Sequence, residues 1–269
     1  MQERYKYLDA YIDDRRSEGE YSFTTDDLRK RFDLSNEALK KSLQRLKREK
    51  KVSMVRKEFY VIVPPEYRAK GIIPPSFYVG DLMKFLHRDY YVGLLNAAAF
   101  YGAAHQQPQS FTIITRGPSL RKIQNERVTI QFLIKKTWNQ DEIEKKKVST
   151  GYINVSSPEL TALDLINHYD TVGGFDRIAT VLHELTENIR AEKLLESAKH
   201  YKKAVVVQRM GYLLEYVLGA VALSDKLYDY LQKVKFYPCL LSPQEAKPFR
   251  MVAGNRWKIV ANIEIEPDF

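Results

Sequence analysis

Apolar residues near the start of the chain follow a helical spacing. Leu39, Leu43 and Leu46 recur at i, i+4 and i+7, which places them on one side of a helix. Upstream, Leu8 and Ile12 fit one face of an earlier helix. Such stripes are typical of helices that bury one face against a small core. The pattern predicts a compact helical module at the beginning of the chain.

Capping residues and a change of period divide this module further. Thr24 and Thr25 precede two aspartates and provide a hydroxyl cap for a helix to about Phe32, and Ser35 can cap a second helix to about Lys50. Residues 52–55 and 59–63 are then rich in branched and aromatic side chains, which favours two short strands. The order of helix, tight turn, helix and hairpin predicts a winged helix-turn-helix.

The later chain combines strand and helix patterns. Branched apolar runs predict strands at 111–115, 128–135, 148–155 and 255–262. Helical spacing predicts helices at 81–87, 90–101, 159–169, 175–187, 191–200, 204–219 and 225–234. We therefore expect an α+β fold, an N-terminal winged helix-turn-helix followed by a larger mixed α+β domain whose early sheet is completed by the late strand.

Prolines indicate a boundary between the two parts. Pro64-Pro65 ends the hairpin, and Pro74-Pro75 interrupts any regular element again. The sequence predicts a DNA-binding domain at 1–64, a surface linker at 65–76 and an α+β domain at 77–269.

Positive charge is concentrated in the predicted winged helix. Residues 29–57 contain twelve Lys and Arg and three acidic residues, a surplus of nine that equals the net charge of the whole chain, +9. The positive and negative charges of the remaining residues therefore cancel. A localised basic module is typical of a nucleic-acid-binding protein.

The second predicted helix carries side chains suited to DNA. Gln can bond to adenine, and Arg or Lys to guanine or phosphate, when a helix enters the major groove. A merely solvated basic face is the commoner meaning of such a helix, but here the basic residues coincide with caps, turn and hairpin. The predicted DNA-binding residues are Thr25, Ser35, Asn36, Glu37, Lys40, Lys41, Gln44, Arg45, Arg48, Arg56 and Lys57.

Composition narrows the functional classes. The longest apolar run, near Val217 to Leu223, is too short to span a membrane, and the opening residues do not have the pattern of a signal peptide. The single Cys239 excludes an intrachain disulfide and a cysteine-based zinc site. We expect a cytoplasmic protein without membrane partner, metal or cofactor.

No catalytic arrangement stands out in the sequence. The histidines fall at no metal-ligand spacing. A nuclease site could be assembled from Asp141, Glu144 and Lys146, but the run 141–147 is predicted as a solvated charged loop between strands. We therefore expect a protein that is not an enzyme.

Several segments in order resemble the AbiE-type antitoxins of type IV toxin-antitoxin, abortive-infection systems. They are the predicted winged helix, Tyr90-Tyr91-Val92-Gly93 leading to Gly102 and His105-Gln106-Gln107-Pro108, then Ser157-Pro158-Glu159-Leu160, Arg209-Met210-Gly211-Tyr212 and Asn255-Arg256-Trp257-Lys258. Each segment alone has little specificity. Their joint order extends the resemblance over nearly the whole chain.

The resemblance implies a non-enzymatic protein of two domains. The N-terminal domain would repress its own operon at inverted repeats in double-stranded operator DNA. The C-terminal domain would neutralise a nucleotidyltransferase-like toxin, which is a functional partner and not necessarily a physical one. Candidate residues of that domain are Tyr90, Tyr91, His105, Gln106 and Gln107; the last three form a polar loop before a strand, and loops often carry function.

Two other functions remain open from the sequence. One is a ligand-responsive transcriptional regulator with an α+β sensor domain, and the other is a nuclease with a DNA-targeting domain. A nucleotidyltransferase gene immediately downstream would favour the antitoxin, and a metabolic operon would favour the ligand-responsive regulator.

Overall fold

The structure is a computed structural model that describes residues 6–103, 108–125, 127–245 and 254–268. The α-helices are α1 Lys6–Ser17, α2 Thr25–Arg31, α3 Asn36–Arg48, α4 Val79–Phe85, α5 Leu94–Phe100, α6 Pro158–Asn167, α7 Tyr169–Val172, α8 Phe175–Leu185, α9 Ala191–Tyr201, α10 Ala204–Tyr212 and α11 Val221–Leu231. The strands are β1 Ser22–Thr24, β2 Val52–Arg56, β3 Phe59–Ile62, β4 Tyr90–Val92, β5 Phe111–Thr115, β6 Ile123–Gln124, β7 Thr129–Ile134, β8 Ile143–Val148, β9 Gly151–Ser156, β10 Cys239–Leu240 and β11 Ile259–Val260. The chain is a mixed α+β protein, as the sequence predicts.

Three sheets are formed by these strands. The first is antiparallel with order β1-β3-β2, and Phe23 lies opposite Tyr60 in its register. The second has six strands in the order β6-β7-β5-β4-β9-β8, in which β5 is parallel to β7 and β4 is parallel to β9. The third contains only β10 and β11, in parallel.

The chain divides into two compact units that are discontinuous in sequence. The first unit comprises residues 1–90, 109–134 and 145–154, and the second comprises 91–108, 135–144 and 155–269. The chain therefore passes from one unit to the other several times. The predicted domain boundaries at 64 and 76 do not coincide with these crossings. The assignment of DNA binding to residues 1–64 stays a prediction.

Local sequence explains the start of the first unit. Thr24 caps α2 by accepting a hydrogen bond from the backbone N–H of Asp27, whose carboxylate in turn accepts from the N–H of Thr24. Ser35 caps α3 by accepting from the N–H of Ala38 at 3.3 Å. Both caps agree with the predicted helix starts. The helices, β1 and the hairpin enclose one apolar cluster: Leu8, Ile12, Phe23, Leu28, Leu39, Leu43, Leu46, Val52, Tyr60 and Ile62.

The segment predicted as a surface linker is partly buried. It contains 3₁₀ turns at Pro65–Tyr67 and Pro75–Phe77, and between them Ile72 and Ile73 are 5% and 0% exposed. Two adjacent buried isoleucines anchor the segment by the hydrophobic effect.

Three predicted elements differ from the structure. The predicted helix 90–101 begins instead with strand β4, because Tyr90, Tyr91 and Val92 are bulky or branched residues that pack well in a sheet, and only then does α5 begin. The predicted charged loop 141–147 is mostly strand β8. Because β8 is the edge strand of its sheet, alternate charged side chains remain solvated.

The late strand is the third difference. Of the predicted strand 255–262 only β11 is formed, and it pairs with β10 in a separate sheet, so it does not complete the six-stranded sheet. The backbone before it turns at Lys258, whose φ is 53°.

Helix α6 lies at the centre of the second unit. Ser157 caps it and Pro158 occupies its first turn, as the sequence predicts, and its ten residues are buried except at the C-terminal end. In the part of the chain that the structure describes, every helix is too short or too polar to cross a membrane.

Candidate nucleic-acid interface and antitoxin-domain cluster

A cleft opens between α2, α3 and the hairpin of the first unit. Its volume is about 330 Å³, and it is lined by Thr25, Arg29, Asn36, Leu39, Lys40, Leu43, Gln44, Lys47 and Tyr60. We call it the α3 cleft. Thr25, Asn36, Lys40 and Gln44 were predicted from the sequence, and the structure brings them together.

Two basic residues of the α3 cleft were not among the positions predicted from the sequence. Lys47 lies three residues after Gln44 and shares its side of the helix, and Arg29 comes from α2. The spacing of Lys40, Gln44 and Lys47 could have indicated this stripe. The predicted set contains instead Glu37, Lys41 and Arg48 beside Lys40 and Gln44.

The other predicted positions have distinct surroundings. Glu37, Lys41 and Arg48 are exposed along the outer side of α3. Ser35 is also exposed, but its hydroxyl is engaged as the helix cap. Thr25 is 9% exposed, and its backbone N–H donates to the carbonyl of Glu58. The exposed basic side chains therefore lie along the body of α3, and its first turn contributes none.

Arg45 bonds to groups of the protein itself. Its guanidinium contacts the carboxylate of Asp9 on α1 and that of Glu49 at 3.0 Å. Lys51 also contacts Asp9 at 2.6 Å and Glu49 at 3.0 Å. Burial would raise the pKa of Asp9, but hydrogen bonds from Arg45 and Lys51 outweigh it and lower the pKa. These pairs join α1 to the end of α3.

The tip of the hairpin carries charges of both signs. Arg56 is half-buried, Lys57 is exposed, and Glu58 turns the chain with a φ of 66°. The carboxylate of Glu58 lies 3.9 Å from the guanidinium of Arg29. The positive charge predicted for this tip is thus reduced by its own glutamate.

A buried carboxylate organises the second unit. Asp164 on α6 is fully buried and accepts hydrogen bonds from the hydroxyls of Tyr91 at 2.7 Å and Tyr201 at 2.8 Å. The ammonium of Lys135 contacts it at 2.9 Å and lies 4.1 Å from the centre of the Tyr201 ring. We call these four residues the Asp164 cluster.

Both tyrosines of the Asp164 cluster stay protonated as donors. Burial raises the pKa of Tyr91 and Tyr201 well above the usual value, and the negative charge of Asp164 raises both further. Of the four residues in the cluster, only Tyr91 was predicted from the sequence. An aspartate between the apolar residues Leu163 and Leu165 of α6 was the signal that could have revealed the site.

The remaining candidates of the antitoxin domain lie elsewhere. Tyr90 is 9% exposed, and burial raises its pKa to about 12; its carbonyl accepts from the amide of Asn154 at 3.2 Å. His105, Gln106 and Gln107 lie outside the described residues.

The alternative nuclease residues do not form a metal site. Among the residues placed in the structure, no group of three or more His, Cys, Asp or Glu is arranged to hold a metal ion. Of the three, Glu144 accepts a hydrogen bond from the hydroxyl of Tyr101 at 3.1 Å.

Two late segments of the resemblance contact each other. The indole N–H of Trp257 donates to Glu215 at 2.8 Å, and the guanidinium of Arg256 contacts the same carboxylate at 2.6 Å. Trp257 is fully buried and packs against α10 at Gly211. The segments 209–215 and 255–258 therefore form one structural feature.

Two comparisons with known proteins found a match. Residues 91–216 match the family described as the AbiEi antitoxin C-terminal domain. The chain is similar to the solved structure of the RV2827C protein from Mycobacterium tuberculosis, with a TM-score of 0.63 and 15% identity over 93% of this chain and 89% of that chain. At this identity the likeness concerns the fold alone.

No curated protein matches the chain in sequence. The predicted resemblance is nevertheless confirmed for residues 91–216 by the family match, which contains β4 except Tyr90, α6, α10 and all four residues of the Asp164 cluster. The match over residues 91–216 to the AbiEi antitoxin C-terminal domain therefore supports an AbiEi-type antitoxin.

Proposed function

We propose that this antitoxin is also a DNA-binding autorepressor. Residues 1–64 would act as a winged helix-turn-helix on inverted repeats in the operator. The later α+β domain would neutralise a nucleotidyltransferase-like toxin, and neither part would act as an enzyme. The antitoxin role follows from the family, and the finer roles are the proposal.

The observation that carries DNA binding is the composition of the α3 cleft. Asn36, Lys40, Gln44 and Lys47 lie along one side of α3, and Arg29 reaches the same cleft from α2. This side offers amide groups beside ammonium groups. Amides form hydrogen bonds with base edges in the major groove, and ammonium groups bind phosphates. One helix would therefore supply both the base-specific and the phosphate contacts to a DNA duplex.

The roles of individual side chains can be separated. Gln44 is exposed near the middle of α3 and can bond bidentately to adenine. Lys40 and Lys47 flank it at one turn on either side and would meet the backbone. Arg45 contributes less than its charge suggests, because its guanidinium holds Asp9 and Glu49.

Gel-shift titrations with the full-length protein and DNA from upstream of its own operon test this proposal. We expect Gln44→Ala to cost about 1 to 3 kcal/mol on the specific site and little on unrelated DNA. Lys47→Ala should weaken binding to all sequences and reduce the salt slope by about one. Lys233→Ala, which removes an exposed lysine from the second unit, is the matched control.

Neutralisation is tested with the same variants in cells that express the toxin. We expect the Gln44 and Lys47 variants to rescue growth as well as the wild type while they fail to repress a reporter. Full DNA affinity in a triple variant lacking Lys40, Gln44 and Lys47 side chains would refute the assignment of α3. Loss of rescue in these folded variants would contradict the separation of the two roles.

A further inference from the structure

The second unit contains a pocket at the start of the nine-residue helix α10. Its volume is about 350 Å³, within the range of small-ligand sites, which is about 300–1,000 Å³. It is lined by Asn167, Lys203, Ala204, Val205, Val206 and Arg209. We call it the Arg209 pocket. None of these six residues carries a carboxylate, and two of them carry a positive charge.

Arg209 is a buried cation without a counter-charge. The residue is 8% exposed, and its Nε and Nη2 both donate to the carbonyl of Leu240, at 3.2 and 3.1 Å. The guanidinium lies 5.6 Å from the centre of the Tyr169 ring. No carboxylate of the described residues forms an ion pair with it, and burial lowers its pKa.

One nitrogen of this guanidinium remains for a ligand. Nη1 has no acceptor among the described residues and keeps contact with solvent. Because Leu240 holds the edge formed by Nε and Nη2, the group is fixed and its other end is the part left to the pocket. Side chains on a helix lean towards the preceding turn, which brings Arg209 to the first turn of α10, where Val205 lies.

Other hydrogen-bond donors line the same pocket. The backbone N–H groups of Ala204 and Val205 open α10 and donate to no acceptor in the described part of the chain. The ammonium of Lys203 donates to Oδ1 of Asn167 at 2.8 Å, which occupies the acceptor of this amide and leaves its NH₂ group as a donor. The helix dipole adds positive potential at this end of α10.

A positive pocket with several donors fits an oxyanion that offers several acceptor oxygens. A phosphate monoester has three such oxygens and about two negative charges at neutral pH, and both guanidinium groups and helix N-termini bind it. We propose that the Arg209 pocket binds a phosphate group, held by Arg209 and the first turn of α10, with Lys203 and Asn167 as further donors. The site lies beyond DNA binding, since no residue of the α3 cleft takes part.

The phosphate group belongs either to inorganic phosphate or to a small phosphate ester. The pocket is larger than one phosphate, and Val205, which is 40% exposed, adds apolar surface for the organic part of an ester. Isothermal titration calorimetry of the full-length protein distinguishes the two sources, with inorganic phosphate, adenosine 5′-monophosphate and adenosine as probes. We expect the phosphate-bearing probes to bind and adenosine not to bind. Tighter binding of the ester than of inorganic phosphate identifies an ester as the ligand, and the reverse order identifies free phosphate.

Val205→Asp tests the position of the site. It places a negative charge in the first turn of α10, which favours the helix but repels a bound anion. We expect phosphate binding to weaken about tenfold or more, while the melting temperature without phosphate stays the same or rises. Val205→Thr keeps the shape without the charge and is the matched control, which should bind phosphate as the wild type does.

Arg209→Met should also weaken phosphate binding about tenfold or more. Lys203→Ala should weaken it several-fold, whereas Lys233→Ala, at another exposed lysine of the second unit, should not. If Arg209→Met does not fold, because the Leu240 carbonyl loses its donor, the two Val205 variants decide.

Three results would overturn the proposal. The first is no binding of inorganic phosphate or of the ester at millimolar concentration, and the second is equal binding by folded Val205→Asp. The third is loss of phosphate binding in Lys47→Ala but not in Val205→Asp, which would assign the phosphate to the α3 cleft. Failure of operator binding by the wild type would leave the Arg209 pocket unaffected, so the two proposals are tested separately.

Discussion

At the scale of single residues, Gly211 is required by the ring of Trp257. A Cβ at this position of α10 would overlap three atoms of the indole, which is itself fully buried and bonded to Glu215. We expect Gly211→Ala to destabilise the second unit by about 3 kcal/mol through overpacking. Urea unfolding followed by tryptophan fluorescence measures this. Gly254→Ala, where a Cβ meets nothing within 4 Å, should change stability little.

The Asp164 cluster makes a second prediction at this scale. Asp164→Asn leaves the ammonium of Lys135 next to a neutral side chain, so we expect a loss of about 3 to 5 kcal/mol. Adding Lys135→Met should recover part of the loss, because the unpaired charge is then removed as well. A double variant whose loss equals the sum of the two single losses would contradict the coupling. The exposed Asp229→Asn is the control.

Asp9 gives a prediction about pH. Its folded pKa is lowered, so its contribution to stability is complete above the unfolded pKa, about 4, and is lost as the pH falls through the folded value. Asp9→Asn should therefore cost about 1 kcal/mol at pH 7 and progressively less at pH values below about 4. Chemical unfolding at several pH values measures the difference. A constant difference down to pH 2 would exclude ionic pairing with Arg45 and Lys51 as its cause.

At the scale of elements, the leucine stripe of α3 packs at the apolar cluster of the first unit. Leu43 is 5% exposed within this cluster, and we expect Leu43→Ala to cost about 2 to 5 kcal/mol. Trp138 and Trp257 both belong to the second unit, so their fluorescence reports on that unit. In denaturant unfolding of Leu43→Ala, part of the circular dichroism signal should be lost at a lower denaturant concentration than in the wild type. The unfolding transition followed by tryptophan fluorescence should be unchanged.

Leu34→Ala is the matched control for Leu43→Ala. Because Leu34 is only half-buried, this substitution should reduce the free energy of unfolding by less. A tryptophan transition that shifts together with the circular dichroism would mean that the two units unfold as one.

Local signals predicted some elements well and others poorly. The starts of α2, α3 and α6 were predicted because a capping side chain and the following N–H groups are close in sequence. The residues of β4 and β8 were assigned to a helix and a loop. Their strand conformation depends on neighbouring strands that are distant in sequence, which local spacing does not reveal.

At the scale of the whole molecule, residues after the hairpin complete the packing of the first module. The ring of Phe59 contacts Phe85 with centroids 5.4 Å apart, and Ser22 donates to Asp81 at 2.7 Å. We expect a fragment of residues 1–90 to be about 2 kcal/mol more stable than one of residues 1–64, because the shorter fragment exposes Phe59. Urea titrations of the two fragments measure this.

Equal stability of the two fragments would show that residues 1–64 are independent of α4.

A buried Ile73 also predicts slow proteolysis between 66 and 76 in the full-length protein. Rapid cleavage there would instead support the flexible linker expected from the prolines.

The sequence by itself determined the caps, the leucine stripe of α3 and the location of the surplus positive charge, because each is carried by residues close together along the chain. It also determined the resemblance to the antitoxins, because that depends on short segments and their order along the chain. Only the tertiary structure decided which side of α3 joins Arg29 in a cleft, that Arg45 holds Asp9, and that Tyr91, Lys135 and Tyr201 meet Asp164. These contacts join residues up to 73 positions apart. Their formation depends on how helices and strands pack, and the spacing of residues within one element contains no record of that packing.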